Sequence, residues 1–181
     1  NGAKVIHPRA VKAARDFNLQ VRVKSTFDES DGTLVGPQGS DLTVSGISLT
    51  RDLALARCER EKTFAEDELT EIQKLSVDKV FYGDDERQKV ILIVEENRDA
   101  VNSLAEEINA KVALEEGVAK VTVVYKDTVD SKVVNDEITA SLARENISVI
   151  GKKLFTNHSS YVVKKDQAEH CVRTVYKTFF N

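Results

Sequence analysis

The chain has 181 residues, room for one ordinary domain or two small ones. Its 26 Lys and Arg against 30 Asp and Glu give a net charge of −4, which speaks against a general phosphate-backbone binder. Hydrophobic residues make up 41%, enough to bury a core, yet the longest apolar runs, at residues 90–94 and 121–125, fall far short of the ~20 needed to cross a bilayer.

No charged-then-apolar leader opens the chain, so neither secretion nor a membrane partner is expected. Cys58 and Cys171 lie far apart in unlike contexts and read as reduced, buried apolar side chains. The chain begins at Asn1 and holds no methionine, which reads as a fragment or a processed piece whose chemistry could reside elsewhere.

Pro8 in a first helical turn, followed by Ala10, Val11, Ala13, Ala14 and Phe17, predicts a short helix. Leu19, Val21 and Val23 alternate with polar residues as a strand ending near Phe27. Residues 28–42, with three glycines and Pro37, read as a linker.

The chain then repeats itself at a spacing of about seventy residues. In the first copy, residues 53–58 form a strand and Thr63-x-x-Glu66 a capping box opening a helix with Ala65, Leu69 and Ile72 on one face. A second strand at 77–81, an acidic hairpin turn, a buried strand at 89–94 and a helix capped by Asn97 complete it. The second copy runs in the same order: a strand at 118–125, a helix capped by Asp130 or Ser131, strands at 147–155 and 161–165, and a last helix opened by Asp166-x-x-Glu169.

Each copy is thus β-α-β-β-α, one strand short of the ferredoxin-like βαββαβ unit. Residues 43–49 can supply the missing strand of the first copy and residues 19–25 that of the second. The fold class is then α+β, two ferredoxin-like units with the first inserted within the second. This interleaving stands or falls on residues 19–25 lying beside 118–125.

No catalytic set stands out. His7, His158 and His170 are not at metal-ligand spacing, and there is neither a GxGxxG nor a P-loop. Asp84, Asp85 and Glu86 read as a solvated hairpin tip rather than a cation site. The same βαββαβ plan serves RNA recognition, but residues 89–94 lack the aromatic residues on which bases stack, so no nucleic-acid partner is expected. More informative is the start of the second strand, where Ser76, Val77 and Asp78 are echoed by Ile147, Ser148 and Val149. A hydroxyl and a carboxylate facing a helix N-terminus could hold a zwitterion, with Asp78 meeting the ammonium and helix amides the carboxylate.

The segment Gly2-Ala3-Lys4-Val5-Ile6-His7-Pro8 resembles the G-A-K-V-[LI]-H-P stretch that closes the catalytic domain of aspartate kinases. Residues 21–27 with Gly32-Thr33-Leu34 are similar to that family's strand and G-T-[LI] turn, and Val44-x-Gly46-Ile47-Ser48 resembles the entry to its first ACT domain. The resemblance implies a layout: the end of a missing kinase domain at 1–18, a strand completing the second ACT domain at 19–27 and a linker at 28–42. The first ACT domain would then occupy 43–116 and the second 117–181.

It also implies a regulatory fragment. The parent enzyme would transfer the γ-phosphate of ATP, with Mg, to the β-carboxylate of L-aspartate, whereas the fragment carries no cofactor, no metal and no catalytic residue of its own. The expected partners are an end-product amino acid, lysine or threonine, and a second copy in a cytoplasmic homodimer. Ser76, Val77 and Asp78 match the family's S-V-D effector-contacting strand, Thr63 in the preceding loop joins them, and Lys4 would have bordered the nucleotide. Where the family carries G-x-G-M…G, this chain has Glu59-Arg60-Glu61-Lys62-Thr63-Phe64 and Tyr125-Lys126-Asp127-Thr128-Val129-Asp130, without glycine. That departure implies an alternative, an ACT pair that dimerises without a ligand.

Overall fold

The computed structural model describes residues 6–27, 30–36, 43–126 and 129–180. The chain divides into two compact units, Asn1–Leu42 and Thr43–Asn181.

The N-terminal unit holds helix α1 (Pro8–Asp16) and a hairpin of β1 (Val21–Val23) and β2 (Thr33–Val35). Arg22 pairs with Leu34 at its centre. Gly32 enters β2 at φ +68, and a Cβ there would lie 2.2 Å from the Val23 carbonyl oxygen, so only glycine fits this turn. Phe17, Leu19, Phe27 and Leu34 are exposed.

The larger unit runs β3 (Val44–Glu59), α2 (Glu66–Leu75), β4 (Gly83–Asp84), β5 (Gln88–Val94), α3 (Arg98–Glu107), β6 (Lys111–Tyr125), α4 (Ser131–Arg144), β7 (Val149–Leu154), β8 (His158–Lys164) and α5 (Ala168–Phe180). Its six strands form one antiparallel sheet in the order β4-β5-β3-β6-β8-β7. The long strands β3 and β6 pair with each other along almost their whole length, Val44 opposite Tyr125 at one end and Glu59 opposite Lys111 at the other.

Two ferredoxin-like units share these long strands. Residues 53–59 of β3 pair with β5, and 111–115 of β6 close the first unit. Residues 118–124 of β6 pair with β8, and 44–50 of β3 close the second. The first unit still sits within the second, but the criterion set on residues 19–25 fails, and the interleaving rests on residues 44–50 instead. Among the described residues, 19–25 do not pair with 118–125: β1 pairs with β2, which lies in the stretch read as a linker. Both sides of β6 are already taken, by β3 and β8. The border strand of the second unit is residues 44–50, which reach it as a direct extension of β3 and need no separate chain closure.

The predicted strand at 77–81 is also replaced. Lys79 adopts φ 53, which turns the chain, and pairing resumes only at Gly83 and Asp84. Helix α2 begins later than the Thr63 box predicts. Its N-cap is Ala65, and Glu68 accepts the Ala65 N–H at 2.6 Å. Helix α4 is capped by Asp130, which accepts from the Lys132 N–H at 2.9 Å.

Side-chain alternation sends the strands' faces to three cores. Ala54, Ala56, Ile91 and Ile93 pack with Ile72 of α2 and Val101 of α3. Val121, Val123, Tyr161 and Val163 pack with Ile138 of α4 and Val175 of α5. The opposite faces supply Leu53, Leu55, Val90 and Leu92 from the first unit and Val118 and Val162 from the second, clustered together and all 5% exposed or less. These helix-free faces thus cover each other, leaving the helices outside.

Candidate functional site

Residues 76–78 follow the last turn of α2. The Ser76 N–H closes that turn on the Gln73 carbonyl at 3.1 Å, and its hydroxyl donates to the Val80 carbonyl at 3.1 Å. The Val77 N–H donates to the Leu92 carbonyl at 2.8 Å, pinning the loop to β5 while the Val77 side chain stays exposed. The positive φ of Lys79 then turns the chain toward Tyr82, whose N–H donates to the Val90 carbonyl of β5 at 2.7 Å.

Asp78 is brought there to meet an ammonium, and the ammonium is the protein's own. Its Oδ1 lies 2.5 Å from Nζ of Lys120 on β6, and its Oδ2 accepts the Tyr82 hydroxyl at 2.6 Å. The Lys120 and Asp78 side chains are 3% and 15% exposed, so the pair is withdrawn from water. Such a pair holds because each charge neutralises the other; either alone would be costly. Burial, then the neighbouring Asp78 carboxylate, pushes the Tyr82 phenol above its usual range, so it remains a donor. Thr122 and Ser160, facing each other at 3.3 Å, extend this polar patch on the inner faces.

Thr63 lies at the other end of α2 and does not join residues 76–78. It is exposed, and its carbonyl accepts from Arg60. Arg60 is the centre of this loop: it pairs with both oxygens of Glu68 and donates to the carbonyls of Lys62 and Ile108, with its guanidinium 4.5 Å over the Phe64 ring. The hydrogen bonds from Arg60 and Ala65 hold the Glu68 carboxyl below its usual range. A loop built to cradle a carboxylate turns its amides inward. This one turns carbonyls toward Arg60, and a side-chain carboxylate already occupies the start of α2. An open groove of about 840 Å³ lies beside it, lined by Arg60, Lys62, Glu68, Arg87, Glu107 and Lys111.

The second unit solves the same places differently. The Ser148 N–H donates to the Gln167 side chain at 3.2 Å. Buried Asn135 on α4 accepts the Tyr161 hydroxyl and donates to the Ser131 carbonyl at 2.6 Å, with Tyr125 at 3.4 Å. Burial pushes the Tyr161 phenol up as well. Residues 127 and 128 of its first loop lie outside the described residues, as does Lys4.

Of the remaining chemistry-bearing residues, Asp84 is held by Lys89 at 2.5 Å and Asp85 accepts the Arg87 N–H at 3.1 Å. No cluster of three metal-ligating side chains occurs among the described residues. His158 stacks on Phe155 at 4.2 Å, and burial lowers its pKa. Burial pushes the thiols of Cys58 and Cys171 up to about 11 and about 12, values at which neither is a nucleophile near neutrality. The roles of Lys120, Tyr82 and Arg60 are not legible in residue order. Lys120 carries one signal, the single charged residue within the strand run at 118–125.

No family model matches the chain. An aspartokinase of Thermus thermophilus is 24% identical over 194 residues, which are 98% of this chain and 48% of the relative. The chain thus spans about half the length of that relative. Among solved structures, the aspartate kinase of Clostridium acetobutylicum superposes with a TM-score of 0.78 at 20% identity, over 98% of this chain and 45% of that one. E. coli aspartokinase III, in complex with lysine and aspartate in its T-state, gives a TM-score of 0.76 at 23% identity, over 99% and 43%. In sequence and in fold alike, the chain is similar to a little under half of an aspartate kinase.

Proposed function

We propose that this chain is the regulatory part of an aspartate kinase, an enzyme that would use ATP and Mg to phosphorylate aspartate. It would sense an end-product amino acid, lysine or threonine, at a seam between paired ACT domains in a cytoplasmic homodimer. The observation that carries this reading is that 99% of the chain superposes on 43% of E. coli aspartokinase III in complex with lysine. The mechanism is a population shift: an amino acid that binds one arrangement of the ACT pair more tightly, by ~1–3 kcal/mol, draws the attached kinase toward it.

A specific observation favours a second reading, a dimerising ACT pair without a ligand. The two charges that an amino acid would bring are both supplied from within, a carboxylate by Glu68 and an ammonium by Lys120. An effector would therefore have to bind where a second copy adds new groups. Titration calorimetry of the chain with lysine and with threonine, alongside light scattering, separates the readings. Heat and a raised melting temperature at millimolar amino acid support sensing. A stable dimer indifferent to both supports the ligand-free module, and a monomer that binds neither removes both.

A further inference from the structure

The two halves of the larger unit are joined through β3 and β6, and each strand has one left-handed residue at the crossing, Asp52 at φ 58 and Gly117 at φ 64. The pairing of β3 with β6 shifts register between Thr50 and Leu53 and again before Leu55. Among the described residues, only 53–59 of β3 pair with β5 and only 118–124 of β6 pair with β8, so neither flanking strand bridges the crossing. The crossing is thus a two-stranded hinge with a weakened ladder. The halves close over it by burying Leu55, Leu92, Val118 and Val162. Apolar burial is non-directional and does not choose among nearby ways of laying one face on the other.

Directional contacts make that choice. Asp78, in the loop after α2, reaches across to Lys120 on the other half. Tyr82 holds the second oxygen of Asp78 and lays its ring against Gly151 of β7, where a Cβ would stand 3.4 Å from the ring and 3.6 Å from Val162. We infer that Asp78, Lys120 and Tyr82 form a clasp across this hinge, coupling the two ACT units so that a displacement of residues 76–78 is passed to β7 and β8. The clasp belongs to the fold and operates whether or not an amino acid binds.

Amide hydrogen exchange on the whole chain tests this, comparing the parent with Asp78→Asn, Lys120→Met, the double variant and Tyr82→Phe. Beyond the uniform rise that lost global stability gives all globally exchanging amides, Asp78→Asn is expected to raise exchange about tenfold more in β7 and β8, outside its own unit, and Lys120→Met to do the same for residues 77–84. The double variant is expected to match one single variant rather than their product, since coupled residues are non-additive. Effects confined to the unit that carries the substitution, or effects that multiply independently, overturn the clasp. If the charge variants do not fold, Tyr82→Phe decides: raised exchange in β7 supports the clasp, and unchanged β7 amides overturn it.

Discussion

The two βαββαβ units share a topology and differ most where each enters its first helix and its second strand. In the second unit Asp130 caps α4 directly, and β7 is six residues long. In the first, Ala65 stands at the cap position, Arg60 and Glu68 organise the loop, and the second strand shrinks to two residues. The strand is lost because residues 76–82 turn inward to deliver Asp78 and Tyr82 to the opposite half. At these two places the second unit relies on backbone pairing and a local cap, the first on the side chains of Arg60, Glu68 and Asp78. A shared fold therefore does not imply a shared distribution of stability.

The largest way to break this contrast is Lys120→Met. It strands the Asp78 carboxylate between the two faces, and about 3–5 kcal/mol of stability is expected to go, read from the urea midpoint. Charge removal at exposed Lys132 on α4 is expected to stay within about 0.5 kcal/mol. A smaller loss, about 2–3 kcal/mol, is expected for Arg60→Met, which frees Glu68 and leaves several loop carbonyls without their donor.

The same pair carries a pH signature. The Glu68 carboxyl is held below its ordinary 4.5, so its contribution is complete above that value and is lost as pH falls through the folded pKa. Parent and Glu68→Gln should differ at pH 6 and converge in acid. A difference that grows on acidification would reverse the assignment.

The smallest effects sharpen the contrast at the caps. Asp130→Ala should cost about 1 kcal/mol by removing the Lys132 N–H acceptor. Ala65→Ser, at a backbone already in the extended cap conformation, should gain about 0.5 kcal/mol. Thermal melts of the two variants should move in opposite directions.

Local patterns read well from the residues. The helix after Pro8, the buried strand that became β5, the Asp130 cap and the doubled β-α-β-β-α order all come from periodicity and capping chemistry, which act over a few residues. The motif at residues 76–78 is also visible in residue order, but the ammonium expected for Asp78 is a ligand's, and the one it meets in the fold is that of Lys120. What periodicity cannot encode is which of two alternating segments fills a sheet border. Residues 19–25 and 44–50 are both plausible strands, and the second prevails because β3 continues into it without a further loop to close.

The same distance hides the site. Asp78 and Lys120 are 42 positions apart, and Arg60 reaches the Ile108 carbonyl across 48. Alternation along a strand tells which side chains share a face, but partners for buried charges are chosen when separate faces close on each other. From residue order come the units, their helices and the charge that wants a counterion. From the closed fold come the strand that is shared, the counterion that is found and the hinge over which the halves meet.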